Sequence, residues 1–207
     1  DADLEFSREI NARYGTGDFV FIAYTPTQEL FSAPVLQTLR ELRNDLQANG
    51  GVASTDSILD VPLLKVANAN LTNVADNVIT LDTPGVALDA ARADLTSNGA
   101  YLDVLLNADG STTALVVNFA TDAELETLLA TRTELRNREN NGGLTQEEQT
   151  QLEGIERDYD ARRDLAADTL HERIVAIREV LDRYRGDAEI VMGGVPMIAD
   201  DLITFVR

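Results

Sequence analysis

The residues with the greatest capacity for chemistry are few and scattered along this sequence. His171 is the only histidine, and it lies in a helix-forming stretch with no serine or cysteine motif nearby. A catalytic triad needs a nucleophile, a base and an orienting group held together, so we interpret His171 as a structural or surface residue. The sequence contains no cysteine, which excludes disulfides and thiolate metal sites.

Glycine pairs and carboxylates offer no clearer site. The pairs at 50–51, 142–143 and 193–194 fit neither a dinucleotide fingerprint nor a phosphate-binding loop. The segment 107–111 (NADGS) shares only part of a calcium-binding loop, so we predict a plain turn in which Gly110 supplies a positive φ. Carboxylates are abundant, yet no spacing singles out a catalytic or metal-binding pair. The sequence therefore predicts no enzymatic activity, no metal and no cofactor.

Composition limits the class of protein. The 207 residues include 44% hydrophobic residues, enough for one ordinary domain or two small ones with a buried core. The net charge of -19 argues against binding to nucleic acid, which requires clustered positive charge. It also argues against electrostatic adhesion to anionic lipid. No run approaches the roughly 20 apolar residues that span a bilayer, so the sequence as given predicts a soluble chain.

The first 60 residues or so predict a strand, a helix and a second strand. The segment 18–24 (DFVFIAY) is almost wholly apolar, as a central strand would be. Ser32 is a candidate helix cap, proline follows in the first turn, and leucines then recur at helical spacing up to Gly50-Gly51. Residues 52–59 complete a βαβ unit. Residues 60–82 are predicted to be an extended connection.

The middle of the chain predicts a helix and a β-hairpin. Thr83-Pro84 marks a helix start, and the helix is expected to end near Asn98-Gly99. Residues 101–106 and 112–119 are the predicted hairpin strands on either side of the Asp-Gly turn. The latter strand, a helix over 166–184 and a strand over 188–192 form a second βαβ unit.

Two capping boxes predict a pair of long helices inside that second unit. Thr121-x-x-Glu124 and Thr145-x-x-Glu148 each open a helix, and Asn141-Gly142-Gly143 separates the two. Residues 121–162 are therefore expected to form an antiparallel helical hairpin with its tip at the glycines. Two βαβ units in one sheet predict an α+β, ferredoxin-like domain from 1–120 and 163–207, with the hairpin inserted at 121–162.

Four stretches resemble one family. They are YGTGDFVFIAYTPTQELFS with the helix and strand that follow it (14–64), ARADLTSNGAYLDVLLNADGSTTALVVNF (91–119), HERIVAIREVLDRY (171–184) and IVMGGVPMIADDLITFVR (190–207). Their order and spacing resemble the first extracytoplasmic loop of RND-superfamily transporters, specifically the predicted exporters related to the MMPL and hopanoid-lipid exporters. The helical hairpin departs from the core pattern of that family and reads as a subfamily insertion.

The resemblance implies a function and a location. Such domains are ferredoxin-like, porter-type subdomains of proton-driven exporters, and they accept hydrophobic, often lipid-like substrates. The chain would be a periplasmic or extracytoplasmic loop of an inner (plasma) membrane protein, joined to its own transmembrane helices. The family's proton-relay acids lie in those helices, so none is assigned here. An alternative is a protein-interaction module in which 121–162 recruits another subunit or an accessory protein.

The resemblance also implies a connection to the membrane at the C-terminal strand. Gly193, Gly194 and Pro196 follow that strand, and we interpret them as a candidate hinge to a membrane segment. Glycine permits backbone angles that other residues avoid, and proline fixes the start of the next segment. The alternative is an ordinary strand-to-helix turn.

Overall fold

A computed structural model describes residues 19–64, 78–97, 99, 101–102 and 104–194 of the chain. These residues form four strands and four helices. The chain divides into two compact units. We call residues 1–120 and 175–207 the sheet unit, and residues 121–174 the smaller unit.

The first strand, helix and second strand form where the sequence predicts them. β1 (Phe19–Pro26) is rich in aromatic and β-branched residues, which favour strands. α1 (Ala33–Gln47) has proline in its first turn and buries its leucines at helical spacing, although the Ser32 hydroxyl makes no capping hydrogen bond. Gly51 has a φ of 84°, which a glycine adopts without strain, and it leads the chain into β2 (Val52–Asp56).

The sheet is antiparallel, and strands of the first βαβ unit alternate in it with strands of the second. β3 (Thr113–Phe119) and β4 (Ala188–Gly193) complete the strand order β2-β3-β1-β4. β3 pairs with both β1 and β2, so β1 and β2 run parallel to each other with β3 between them. β3 and β4 likewise run parallel to each other, with β1 between them. The four predicted strands and the α+β class are thus confirmed.

The predicted strand over 101–106 is wrong. The amide N–H groups of Leu105 and Leu106 both donate to the Tyr101 carbonyl, at 2.9 and 3.1 Å, and so form a tight turn. Both leucines are buried, although neighbouring side chains of a strand point to opposite faces. The prediction weighed apolar content and ignored this lack of alternation. The turn that follows is confirmed, because Gly110 has a φ of 72° and donates to the Asn107 carbonyl at 3.1 Å.

The second helix begins later than predicted. α2 (Leu88–Ser97) does not start at Thr83-Pro84, because Gly85 has a φ of 84° that no right-handed helix accommodates. Thr83 closes a turn instead, and its hydroxyl accepts a hydrogen bond from the Thr80 N–H at 3.0 Å. Residues 65–77 of the predicted extended connection lie outside the described residues.

The core of the sheet unit is built from one face of the sheet and the apolar sides of helices. Val20 and Ile22 of β1 are fully buried, as are Leu39 and Leu42 of α1. Each such side chain contributes about 1.5–3 kcal/mol relative to an exposed one. Tyr184 adds a polar contact at the edge of this core, where its hydroxyl donates to Asp45 Oδ2 at 2.8 Å.

The smaller unit contains one long helix and the part of a second helix up to Ile174. α3 (Ala123–Gly142) is capped by Asp122, whose carboxylate accepts from the Leu125 N–H at 3.0 Å. The predicted cap was Thr121, so that prediction was one residue too early. α3 also continues through Gly142 and ends at Gly143, which has a φ of 80°.

The second long helix, α4 (Gln146–Asp182), follows the predicted capping box and ends before the predicted Arg185. The Thr145 N–H donates to Glu148 Oε2 at 2.9 Å, and the Glu148 N–H donates back to the Thr145 hydroxyl at 3.3 Å. The apolar face predicted over 166–184 is only partly buried. Ala166 and Leu170 are half-exposed, whereas Ile174 and Ile177 are fully buried.

Candidate functional site

The second face of the sheet carries apolar side chains from three strands. Val20, Ile22 and Tyr24 of β1 point into the core, so Phe19, Phe21 and Ala23 point to the opposite face, where they are half-buried. Cross-strand pairing sets Phe21 beside Val116 and Ala23 beside Val191. The rings of Phe19 and Phe21 meet edge to face, with centroids 5.3 Å apart. We call this surface the second face.

Polar groups border the second face on two sides. On the β2 side, Asn118 Nδ2 donates to Ser54 Oγ at 2.9 Å and to Asp56 Oδ2 at 2.8 Å. Asn118 Oδ1 is buried and accepts no hydrogen bond from the described residues. On the β4 side, Glu189 is exposed and Val191 is 57% exposed. The surface therefore combines apolar area with acidic edges, and the unsatisfied Asn118 acceptor lies buried beneath it.

A shallow groove lies beside the start of β3. Its volume is about 280 Å³, and Ala114 of the second face contributes to its lining. Small-molecule sites usually have volumes of about 300–1,000 Å³, so this groove can hold only part of a ligand of ordinary size. The remaining lining residues are Val104, Leu105, Leu106, Asn107 and Thr112.

The candidate hinge is described in part. Gly193 is the last residue of β4 and pairs with Phe21, which places it beside the second face. Gly194 has a φ of 140°, a conformation that residues with a side chain rarely adopt. Pro196 lies outside the described residues. The hinge itself remains a prediction.

Charged contacts join α3 and α4 at one end of the smaller unit. Arg162 donates from Nε to Asp122 Oδ2 at 2.7 Å and from Nη2 to Asp122 Oδ1 at 3.1 Å, a bidentate pair. Arg162 also lies 3.1 Å from a Glu124 carboxylate oxygen. The hydrogen bonds from Arg162 and from the Leu125 N–H lower the pKa of Asp122. We call residues 122–162 the helix pair.

Further contacts follow in antiparallel order along the helix pair. Arg136 Nε donates to Glu156 Oε1 at 2.9 Å, and Arg138 Nη1 donates to Glu148 Oε1 at 2.7 Å. Hydrogen bonds from the Thr145 N–H and hydroxyl, followed by the contact with Arg138, lower the pKa of Glu148. These pairs, in which an arginine of α3 binds a glutamate of α4, align the two helices in one register.

Arg132 of the helix pair has a buried side-chain donor without a hydrogen-bond partner among the described residues. The Arg132 guanidinium lies 4.8 Å from the centre of the Tyr159 ring, within the range of a cation–π contact. The buried donor is Nε. The nearest carboxylate, on Glu156, is 3.9 Å away.

Among the described residues, neither the second face nor the helix pair brings the candidate residues of the sequence together as a reaction centre. His171 is exposed on α4. Asp109 accepts from the Ser111 hydroxyl at 2.6 Å and from the Ser111 N–H at 2.9 Å, so its carboxylate stabilises the turn. Within the described ranges, no three or more histidine and acidic side chains group as a metal site would require.

Sequence reasoning missed the second face. It interpreted 18–24 as a central strand because the segment is almost wholly apolar, and it did not distinguish the two faces of that strand. β1 is central in strand order, as predicted, but Phe19 and Phe21 are only half-buried. Val116, which lies beside Phe21 on this face, is fully buried, so the face is only partly open to solvent. Apolar content alone does not predict such partial exposure.

No protein-family model, curated protein or solved structure matches this chain. In the part of the chain that the structure describes, no helix is both long enough and apolar enough to cross a membrane.

Proposed function

We propose that this chain is the extracytoplasmic substrate-handling domain of a proton-driven RND-superfamily exporter related to the MMPL and hopanoid-lipid exporters. Its substrates are hydrophobic or lipid-like small molecules. In this proposal the domain lies outside the inner membrane, is joined to the protein's own transmembrane helices and has no enzymatic activity of its own. The order and spacing of the four sequence stretches support it.

The strand order supports a finer description of the fold. Two βαβ units whose parallel strands are each separated by one antiparallel strand are the arrangement of a ferredoxin-like sheet. We therefore propose a ferredoxin-like, porter-type sheet unit with 121–162 as an inserted helical hairpin. The antiparallel contacts from Asp122–Arg162 to Arg138–Glu148 support the hairpin.

The observation that carries substrate handling is the apolar second face. A surface that presents Phe19, Phe21 and a 57% exposed valine at position 191 favours contact with an apolar ligand. Asp56 and Glu189 place carboxylates at the edges of the same face, where they can bind a polar or cationic group of the ligand. These features suit an amphiphile better than a small polar metabolite.

The test compares charged substitutions on two exposed positions in the full-length transporter. Val191→Glu places a carboxylate on the second face, whereas Leu129→Glu places one on α3, where the leucine is 44% exposed. We expect Val191→Glu to reduce the export of lipids, measured by mass spectrometry of the extracytoplasmic fraction against a deletion strain. Normal export by a well-expressed Val191→Glu protein would contradict the assignment of the second face.

The alternative function is a protein-interaction module that acts through the helix pair. It is favoured by the thin core of the smaller unit, in which Leu135 and Leu152 are buried but Leu129 is 44% exposed. In this case Leu129→Glu would weaken assembly with another subunit or an accessory protein, and Val191→Glu would not. Cross-linking followed by size analysis of the complex separates the two outcomes.

A further inference from the structure

The described residues include two Asn-Gly dipeptides, and the structure holds them differently. The side chain of Asn49 donates to the Asp45 carbonyl at 2.9 Å. Its backbone N–H donates to the Leu46 carbonyl at 3.1 Å, and its carbonyl accepts from the Val52 N–H at 3.3 Å. Asn49 is thus fixed on three sides within a closed turn.

Asn141 lies in a more open setting. It is exposed in the last turn of α3, and its side chain makes no hydrogen bond to the described residues. Apart from the adjoining residues and the backbone of the helix itself, no atom lies within 4 Å of the position that a Cβ on Gly142 would occupy. Helix ends fray, and their local opening requires little free energy. The Gly142 nitrogen can therefore approach the side-chain carbonyl of Asn141.

We propose that Asn141 is a site of spontaneous deamidation, and that Asn49 is protected from the same reaction. The Gly142 amide nitrogen loses its proton to solvent and forms a bond to Asn141 Cγ. The Cγ–Nδ2 bond breaks, and Nδ2 leaves as ammonia. Water then opens the resulting succinimide at either carbonyl, which gives aspartate or isoaspartate. No oxidant or reductant takes part.

The product changes the end of the helix pair. A new carboxylate stands at the C-terminus of α3, where the helix dipole disfavours negative charge, and Glu139 is already close in sequence. Isoaspartate also inserts a methylene group into the backbone between α3 and α4. We therefore expect the modified chain to hold the last turn of α3 less firmly. This inference is independent of the proposed transport function.

The experiment follows the intact 207-residue chain during incubation at mildly alkaline pH. Cleavage at arginine and lysine separates peptide 139–157, which contains Asn141, from peptide 44–65, which contains Asn49. Mass spectrometry of each peptide reports the gain in mass on deamidation, and fragmentation separates aspartate from isoaspartate. We expect Asn141 to react severalfold faster than Asn49 in the native chain, and the two rates to converge in denaturant.

A matched variant tests the role of the glycine. Gly142→Ala meets no steric obstacle in the fold but hinders the attacking nitrogen, so deamidation at Asn141 should slow severalfold. Circular dichroism should show unchanged helix content for this variant. Equal native rates at Asn49 and Asn141, or an unchanged Asn141 rate in Gly142→Ala, would overturn the proposal.

Discussion

The sheet unit buries most of its large apolar side chains, whereas the smaller unit leaves many of its own in contact with solvent. Leu39 and Leu42 of α1 are fully buried, but Leu129 of α3 is 44% exposed and Leu165 of α4 is 55% exposed. Among the described residues, the buried hydrophobic side chains of the smaller unit are Leu135, Leu152 and Ile174. At about 1.5–3 kcal/mol per buried side chain, burial stabilises the sheet unit far more.

The smaller unit depends instead on helix caps and ion pairs. Asp122 and Glu148 each satisfy backbone N–H groups at a helix start and also bind an arginine of the opposite helix. Exposed ion pairs contribute about 0–1 kcal/mol each. One chain thus specifies its geometry by polar contacts in one region and by a packed core in another.

Removal of the helix pair is the strongest test of this difference. Asp122 Oδ2 and Arg162 Nε are 2.7 Å apart, so a short Gly-Ser bridge can replace 124–160. Because the core of the sheet unit lies outside the deleted segment, we expect this chain to fold and to unfold cooperatively in urea. Amide hydrogen exchange of peptides from α1 measures whether the sheet unit of this variant is folded. A deletion variant without protected amides in α1 would show that the two units fold as one.

Truncation of single leucines measures the same contrast on a smaller scale. Leu39→Ala removes a fully buried side chain, and we expect a loss of about 2–5 kcal/mol in the free energy of unfolding of the sheet unit. Leu129→Ala is the matched change on α3 and should stay within about 0.5 kcal/mol. Equal losses in the free energy of unfolding, measured by urea titration of the two variants, would show that burial does not distinguish the two units.

High pH should destabilise the sheet unit through its tyrosines. Burial, followed by the hydrogen bond to Asp45, raises the pKa of Tyr184 to about 12, and burial raises the pKa of Tyr24. These phenols favour folding below the unfolded pKa of 10.0, and their contribution disappears as the pH rises through the folded values. Stability should thus fall between pH 10.0 and about 12, and Tyr184→Phe should reduce the slope. An unchanged slope in thermal denaturation of this variant would contradict the assignment.

Low pH should act on the helix pair through Asp122. The pKa of this carboxyl is lowered from 3.8 by Arg162, so its contribution is present above about pH 4 and disappears as the pH falls through the folded value. Asp122→Asn keeps an acceptor for the Leu125 N–H but loses the charge. We expect a lower melting temperature of the helix pair at neutral pH and no difference in strong acid. Asp160→Asn, which alters an exposed pair with Arg163, is the control.

The sequence predicted the sheet better than the details of the helices. Apolar, β-rich stretches bounded by turn residues located the four strands of the described residues, and leucines at helical spacing located α1. It placed the cap of α3 at Thr121 instead of Asp122, because both residues suit that position. It extended α2 back to Thr83, because the positive φ of Gly85 depends on the surrounding turn.

The candidate surfaces were harder to predict for a physical reason. Ion pairs such as Arg136–Glu156 join residues that are distant in sequence, and the chain offers many arginines and acids that could pair. The second face needed the strand register, which aligns Phe21 with Val116 and Gly193. Local sequence defines neither the choice of ion-pair partners nor the strand register.

Arg132 provides the smallest and most specific test of the smaller unit. Its buried Nε lacks a partner among the described residues, and an unsatisfied buried donor is unfavourable. A leucine in its place would keep an apolar contact with Tyr159 without that donor, so we expect Arg132→Leu to raise the free energy of unfolding of the helix pair by about 1 kcal/mol. Arg136→Leu breaks a satisfied, half-exposed pair and should lower it slightly. If Arg132→Leu destabilises the helix pair more than Arg136→Leu, the cation–π contact and the ion pair with Glu156 together outweigh the unsatisfied donor.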